Sequence, residues 1–237
     1  LTKNYLYSNG SVTTTENYTD GVTGNKIKLT RITARVQMNS LSIKFAGSYT
    51  GSTLKLSSIY LVNVTPESKL IGNTLANNPT VKYLCGTTAK VTVIDNLIYP
   101  TETYTTSLRK NYTGTSLADN TSKTFENDQL LQCYVFENKS IESTRPTIDS
   151  YNTRIVIKGE VVLSTGQSLG NRYYHITVKA DGDKGYILPN YLYNVTATIT
   201  GIGSPDEDGG SDGNADINAQ ISVLPWNVVN QNEGDLN

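Results

Sequence analysis

Strand-length runs in which apolar and polar residues alternate recur along nearly the whole chain, and this period of two limits the fold to β-structure. In residues 26–36 the apolar positions change sides between Leu29 and Ile32, as they do at a β-bulge. A helical turn is predicted only at residues 66–71, and the Thr-, Ser- and Asn-rich residues 100–123 are predicted to form a long surface loop. Further strands are predicted at residues 41–45, 54–64, 80–85, 90–98, 132–137, 154–162, 172–179, 192–200 and 217–223. We therefore expect an all-β chain folded as an antiparallel β-sandwich.

Charge and length exclude several classes of protein. The net charge is −1 and no cluster of Lys and Arg occurs, so no nucleic-acid partner is predicted. No apolar run approaches the roughly 20 residues that a membrane-spanning helix needs. At 237 residues the chain is long enough for one large domain or two ordinary ones.

Catalytic and metal-binding patterns are weak throughout the sequence. His175 is the only histidine, so no second imidazole exists for a metal site or a proton relay, and we expect a strand histidine that is hydrogen-bonded or half-exposed. The acidic residues 206–216 lack the ligand order and the closing Glu of a calcium loop. No nucleophile elbow or phosphate-binding glycine loop is present. We therefore predict no enzyme activity, no catalytic residue, no metal and no cofactor.

The chain has two cysteines, Cys85 and Cys133, both in apolar strand-like contexts. They could form one disulfide in an oxidising compartment, although the sequence does not show that they approach each other. They could equally be two buried thiols that pack as small apolar side chains.

The C-terminal fifty residues carry the clearest functional signal. A predicted strand at 190–200 stops at a Gly-Ile-Gly turn, and an acidic, glycine-rich spacer leads from there to a closing strand. Pro225 has no amide donor and indicates an edge position or a break. One apolar face is expected to complete the domain's own sheet, and a second patch after Pro225 is expected to enter a groove of a neighbouring molecule. The first set is Ile217, Ala219, Ile221 and Val223, and the second is Trp226, Val228, Val229 and Leu236.

Ordered landmarks along the chain resemble those of a known family. They are Leu-Thr-Arg-Ile-Thr-Ala-Arg-Val (29–36), Leu-Ser-Ser-Ile-Tyr-Leu-Val-Asn-Val (56–64), Cys-Tyr-Val-Phe-Glu-Asn (133–138), the run 188–203 and the closing Pro-Trp pair (225–226). Together they resemble the FimA/Mfa-type fimbrillins, the subunits of the type V pili of Bacteroidales, and mainly the C-terminal domain of these proteins.

The resemblance implies a transthyretin-like or immunoglobulin-like sandwich in a protein that is exported as a lipoprotein precursor to the outer membrane. A trypsin-like protease then removes an N-terminal strand, and a terminal strand of the next subunit fills the opened groove. In that family the Arg-x-x-Ala-Arg strand lies near the end of the first domain. Residues 1–38 are therefore expected to be terminal strands of an N-terminal β-domain, and 39–237 a C-terminal sandwich with a donor-type strand. The chain would then be a fragment or a minimal relative.

Two functions from different classes are compatible with these residues. The first is a structural subunit of a cell-surface fimbria that polymerises by strand exchange and supports adhesion, with identical pilin subunits, and accessory tip or anchor subunits, as partners. The second is a tip adhesin or a glycan-binding surface lipoprotein with the same fold, in which Tyr99, Tyr104 and Tyr112 stack on sugar rings. For these tyrosines, ordinary packing at strand edges is the simpler explanation.

Overall fold

The computed structural model describes residues 5–6, 12–13, 31–66, 68, 83–88, 103–124, 131–139, 152–179, 186–207 and 216–225. Within these ranges the only helical segments are two single 3-10 turns, Gly47–Tyr49 and Thr106–Leu108. The strands are β1 (Tyr5–Leu6), β2 (Val12–Thr13), β3 (Thr33–Ile43), β4 (Thr53–Val62), β5 (Leu84–Cys85), β6 (Thr103–Tyr104), β7 (Arg109–Ala118), β8 (Ser122–Thr124), β9 (Gln132–Phe136), β10 (Asn138–Lys139), β11 (Arg154–Val162), β12 (Ser168–Thr177), β13 (Tyr186–Ile187), β14 (Tyr191–Ile199) and β15 (Ile217–Pro225).

Two sheets form the body of the protein. The first has the strand order β12-β11-β4-β7, with every pair antiparallel. The second has the order β15-β14-β3-β8, and β9 also pairs with β3. Its one parallel pair is β14 with β3, while β15, β8 and β9 run antiparallel to their neighbours. The predicted all-β, mainly antiparallel sandwich is thereby confirmed.

Strand β3 shows how the alternating pattern is built into the second sheet. Ala34, Val36 and Met38 are fully buried, and the buried positions then move to Leu41 and Ile43. The register with β14 shifts at the same place, since Val195 lies opposite Met38 and Thr196 lies opposite Ser40. The residue left over at position 39 is a β-bulge that moves the apolar side chains back onto the core.

The expected division of the chain at residue 38 falls inside this strand. Strand β3 runs from Thr33 to Ile43 and pairs with β14 on both sides of the bulge. The strands predicted at residues 26–36 and 41–45 thus meet in one strand, to which they contribute residues 33–36 and 41–43. The assignment of the residues before Thr33 to a preceding domain stays a prediction.

The core lies between the two sheets. Ile59 and Leu61 of β4 and Ile155 and Ile157 of β11 are fully buried in one cluster with the inward side chains of β3 and β14. Each such side chain contributes roughly 1.5–3 kcal/mol on burial. The partly buried Ile217, Ala219, Ile221 and Val223 of β15 pack against the same cluster.

The first sheet is buried on its outer face as well. From Ser58 to Val62 every residue of β4 is buried, because alternate side chains enter the core and a second cluster on the other face. The second cluster consists of Tyr60, Val62, Cys85, Val156 and Tyr173. The continuous apolar run in this part of the sequence is the result of that two-sided burial.

The predicted surface loop at residues 100–123 is wrong, because β7 takes up ten of these residues and the shorter strands β6 and β8 lie on either side of it. Arg109–Ala118 forms an edge strand that pairs with β4, and Leu117 is its only buried side chain. A strand with such polar faces carries almost no alternation, so its Thr, Ser and Asn residues indicated a loop. Strands β11 and β12 form a hairpin, and Gly166 (φ +86°) adopts a left-handed conformation in its turn.

Candidate functional site

The terminal strand β15 and the segments that hold it form the candidate assembly site. Strand β15 pairs with β14 through nine consecutive positions, from Ile217 opposite Ile199 to Pro225 opposite Tyr191, without a register shift. Pro225 lies at the edge strand's end, as its missing amide donor indicated. The predicted polymerisation residues of the second set, Trp226, Val228, Val229 and Leu236, lie outside the described residues. The polymerisation role of both sets stays a prediction.

Asp216 anchors the beginning of β15. Its Oδ2 accepts a hydrogen bond from the Gly203 amide at 2.9 Å, and its carbonyl accepts from the Thr200 and Gly201 amides at 2.8 and 3.1 Å. The Tyr174 hydroxyl donates to the Gly201 carbonyl at 3.1 Å. Gly203 is in a left-handed conformation, φ +70°, and a Cβ atom there would lie 2.8 Å from the Tyr174 ring. Only glycine fits this turn.

Burial raises the pKa of the Tyr174 phenol, and the negative charge of Asp216 raises it further. The phenol is therefore a hydrogen-bond donor throughout the ordinary pH range. Its bond to Gly201 ties the core of the first sheet to the turn from which β15 departs.

Glu207 fixes the chain ahead of the acidic glycine spacer. The hydroxyls of Tyr60 and Thr87 both donate hydrogen bonds to Glu207 Oε1. Burial, followed by the charge of Glu207, raises the pKa of Tyr60, so the phenol stays protonated and donates. The Arg109 guanidinium lies 5.1 Å from the centre of the Tyr60 ring and makes a cation–π contact with it.

Sequence analysis did not identify this anchor. Tyr60 and Thr87 lie 147 and 120 residues from Glu207, and each is an ordinary residue in its own segment. Only the fold brings the three together, since no local spacing links them. The acidic glycine spacer thus has a tethered residue on each side, Glu207 before it and Asp216 after it.

A polar groove of about 670 Å³ lies on the outer face of the second sheet. Hydroxyl and amide side chains line it, among them Ser40, Ser42, Thr196, Thr198, Asn218 and Gln220. Lys44 is the groove's one charged lining residue. The outer face of this sheet is therefore hydrophilic, in contrast to the doubly buried first sheet.

The tyrosines considered for sugar stacking have different environments. Tyr104 has 43% of its surface exposed. Tyr112 packs against the core, and burial raises the pKa of its phenol to about 12. Tyr99 lies outside the described residues. A further exposed aromatic residue, Tyr134 on β9, has 55% of its surface accessible.

The environment of His175 differs from the one expected. The residue is only 3% exposed, and neither ring nitrogen has a hydrogen-bond partner among the described residues. Burial lowers the pKa of the imidazole to about 3, and the nearby Arg154 guanidinium lowers it further in the same direction. The expectation of a hydrogen-bonded or half-exposed histidine is thus wrong, because the outer face of the first sheet is covered.

Both cysteines are buried thiols in the structure. Cys85 belongs to the cluster outside the first sheet, and Cys133 belongs to the core. The Cys133 thiol donates to the Ser107 carbonyl at 3.6 Å, and burial raises its pKa to about 12. Such a thiol is a poor nucleophile.

The described part of the chain contains neither a cluster of metal ligands nor a membrane-spanning helix. No group of three or more His, Cys, Asp or Glu side chains in these residues is arranged to hold a metal ion. No helix among them is long and apolar enough to cross a membrane.

Comparison with known proteins gives the class to which this fold corresponds. No protein-family model matches the chain. The major fimbrium subunit FimA type-3 of Porphyromonas gingivalis is 24% identical to it, over 88% of this chain and 58% of that protein. The crystal structure of a fimbrilin (fimA) from Porphyromonas gingivalis W83 matches with a TM-score of 0.62 and 23% identity, over 85% of this chain and 60% of that one.

A third match is the crystal structure of a candidate cell adhesion protein from Parabacteroides distasonis. Its TM-score is 0.57 at 20% identity, and it covers 84% of this chain and 60% of that one. The chain therefore has the β-sandwich fold of the fimbrilin structure, and its resemblance to the fimbrillins is confirmed. It spans about three-fifths of the length of these relatives.

Proposed function

We propose that the protein is a structural subunit of a cell-surface fimbria and that its C-terminal segment joins it to a neighbouring copy. The fimbrium subunit and the fimbrilin structure that match most of this chain support the fimbrial role. The same resemblance supports export as a lipoprotein precursor to the outer membrane, cleavage by a trypsin-like protease, and assembly with further tip or anchor subunits. In this proposal the chain binds other subunits and catalyses no reaction.

The position of β15 is the observation that carries the joining role. It is the last strand of the second sheet, held through one ladder to β14 and anchored at Asp216. The sequence passes Pro225 at this edge and immediately reaches a second apolar set, Trp226, Val228, Val229 and Leu236. In this arrangement Ile217–Pro225 remains in its own sheet and sets the direction in which the following residues extend towards the groove of a neighbouring subunit.

Burial of the second apolar set provides enough free energy to hold two subunits together. Each of the four apolar side chains in the second set contributes roughly 1.5–3 kcal/mol when a neighbour's groove buries it. The sum, roughly 6–12 kcal/mol before ordering costs, is an upper estimate because a free tail already buries some of that area. Backbone pairing with the groove adds specificity of the kind found in strand-addition complexes.

A tip adhesin or glycan-binding surface protein is the second candidate. The exposed rings of Tyr104 and Tyr134 are the observation that favours it, since aromatic faces stack on sugar rings. The two functions differ in what the processed protein does: an adhesin binds glycans as a single subunit, whereas a stalk subunit forms fibres.

Electron microscopy of the full-length precursor before and after trypsin-like cleavage tests the proposal. We expect fibres only after cleavage. A processed protein that stays monomeric and binds members of a glycan array would replace the fimbrial subunit with the adhesin. The matched control is the same protein with Tyr104→Ala and Tyr134→Ala, which should abolish glycan binding and leave fibre formation intact.

A further inference from the structure

The outer edge of β15 presents backbone groups without partners. The Thr200 amide donates to the Asp216 carbonyl at 2.8 Å, which places position 216 in a hydrogen-bonded pair with β14. Backbone groups alternate in direction along a strand, so the N–H and C=O groups of the even-numbered residues of β15 point towards β14. The N–H and C=O groups of the odd-numbered residues therefore point outward, away from the sheet. These residues are Ile217, Ala219, Ile221 and Val223. Strand β15 ends its sheet, and no described residue bonds to these groups.

The other long edge strands carry devices that block the addition of a strand. In β7 the register with β4 shifts around Gly114 (φ +69°), and Lys110 is exposed. In β12 the register with β11 shifts near Gly170 (φ +75°), and Tyr173 is already bridged to Ser204. Bulges and lysines are the usual protection of natural edges. Strands β8 and β9 are short, with three and five residues.

Strand β15 lacks these bulges and lysines, and its one proline, Pro225, stands at its last position. Its nine residues, Ile-Asn-Ala-Gln-Ile-Ser-Val-Leu-Pro, include no charge and no glycine, and its register with β14 is unbroken. Among the described strands, β15 is thus the one long, neutral edge that lacks these devices. An unprotected edge is complementary to another unprotected edge, and β15 itself is the one found among the described strands.

We propose that β15 pairs antiparallel with β15 of a second copy of the chain, about a two-fold axis at Gln220. With Gln220 on the axis, Ile217 lies opposite the second copy's Val223, and Ala219 lies opposite the second copy's Ile221. Every outward N–H and C=O of these four positions then meets a partner in a hydrogen-bonded pair. No other register pairs all of them.

The side chains agree with this register. Paired residues point to the same side of a sheet, so the half-buried Ile217, Ala219, Ile221 and Val223 of each copy meet the same set on the other. The exposed Asn218, Gln220 and Ser222 meet on the polar side. No charges oppose each other across the axis, because β15 has none.

Cysteine cross-linking tests both the pairing and its register. Position 220 lies opposite itself in a non-hydrogen-bonded pair with Cα atoms about 4.5 Å apart, which is within the range of a disulfide. We expect Gln220→Cys in the 237-residue chain to form a disulfide dimer under mild oxidation without denaturant. Ser222→Cys is the matched control on the same face of the same strand, and its two copies lie too far apart to join. Equal cross-linking of both variants, or none of either, would overturn the proposal.

Sedimentation equilibrium without cross-links supplies a second measurement. The unmodified chain should dimerise, and Gln220→Lys should weaken the dimer about fivefold because like charges then face each other. Gln220→Glu should weaken it similarly, and an equimolar mixture of the two variants should recover the association as a heterodimer. The control Ser116→Lys, exposed on β7, should have no effect. A wild-type chain that is monomeric at all concentrations would refute the pairing, whether or not the fimbrial proposal holds.

Discussion

The Asp216 carboxylate fills the space beside Gly201 so completely that a Cβ atom at position 201 would lie 1.8 Å from Asp216 Oδ1. Position 201 lies two residues after the end of β14, and position 216 lies immediately before the start of β15. The contact between them therefore sets where β15 starts and keeps its register with β14.

Gly201→Ala should destabilise the protein by about 1–3 kcal/mol, because the added methyl group displaces the Asp216 carboxylate from its hydrogen bond with the Gly203 amide. Urea unfolding measures the loss, and hydrogen exchange should locate it at the amides of β14 and β15. The double variant Gly201→Ala with Asp216→Ala relieves the clash, so its cost should be smaller than the sum of the two single variants. Strictly additive costs would show that the two positions do not compete for the same space.

Glu207→Ala should cost about 1–3 kcal/mol, because it leaves the buried Tyr60 hydroxyl and the Thr87 hydroxyl without their acceptor. Glu207→Gln keeps an acceptor oxygen and should cost clearly less. A double-mutant cycle with Tyr60→Phe, followed by thermal unfolding, measures the interaction directly. A coupling energy near zero would mean that the pair does not stabilise the fold.

His175 should make the protein less stable in acid. Its pKa is about 3 in the folded state, against an ordinary value of 6.5, because burial and Arg154 oppose the charged form. As the pH falls below about 6.5, the His175 imidazole binds a proton in the unfolded chain but stays neutral in the folded chain. The free energy of unfolding should then decrease by up to about 1.4 kcal/mol per pH unit from this group.

The variant His175→Phe removes that contribution and leaves the carboxylates untouched. Chemical denaturation of both proteins between pH 7 and pH 4 should show a shallower decline for the variant. Parallel curves for the two proteins would mean that the imidazole is solvated or hydrogen-bonded in solution.

The two thiols should resist reagents while the protein is folded. Cys85 and Cys133 are buried, and the raised pKa of Cys133 keeps its thiolate fraction small. A thiol reagent should label both only as fast as the protein unfolds, and Leu54→Ala, which opens a cavity in the core away from either cysteine's strand, should accelerate labelling. Intact mass spectrometry that finds the purified chain lighter by two hydrogen atoms would instead show the disulfide.

Alternation predicted the strands whose one face is buried, such as β14, whose odd positions from Tyr193 to Ile199 enter the core. It missed β7, because a polar edge strand buries too little to show a period. The bulge at position 39 of β3 was not predicted either, since its cause is the pairing with β14.

The candidate site was predicted only in part, because some of its contacts join residues that are far apart in the sequence. The strand after the spacer and its apolar set could be predicted from local pattern. The Glu207 anchor, the Asp216 contact with Gly201 and the open edge of β15 depend on residues that meet only in the folded sheets. Long-range contacts of this kind have no signature in a single segment.

Deleting residues 226–237 from the full-length precursor is the most direct test of the central claim that this segment joins subunits. The deletion begins after the last paired residue of β15, so the hydrogen-exchange rates of the amides in β14 and β15 should be unchanged. Unchanged rates show that the truncated protein is still folded. After cleavage, electron microscopy should show no fibres, and Trp226→Ala with Val228→Ala should give an intermediate yield. If the truncated, processed protein forms fibres as the wild type does, the C-terminal segment is not the joint.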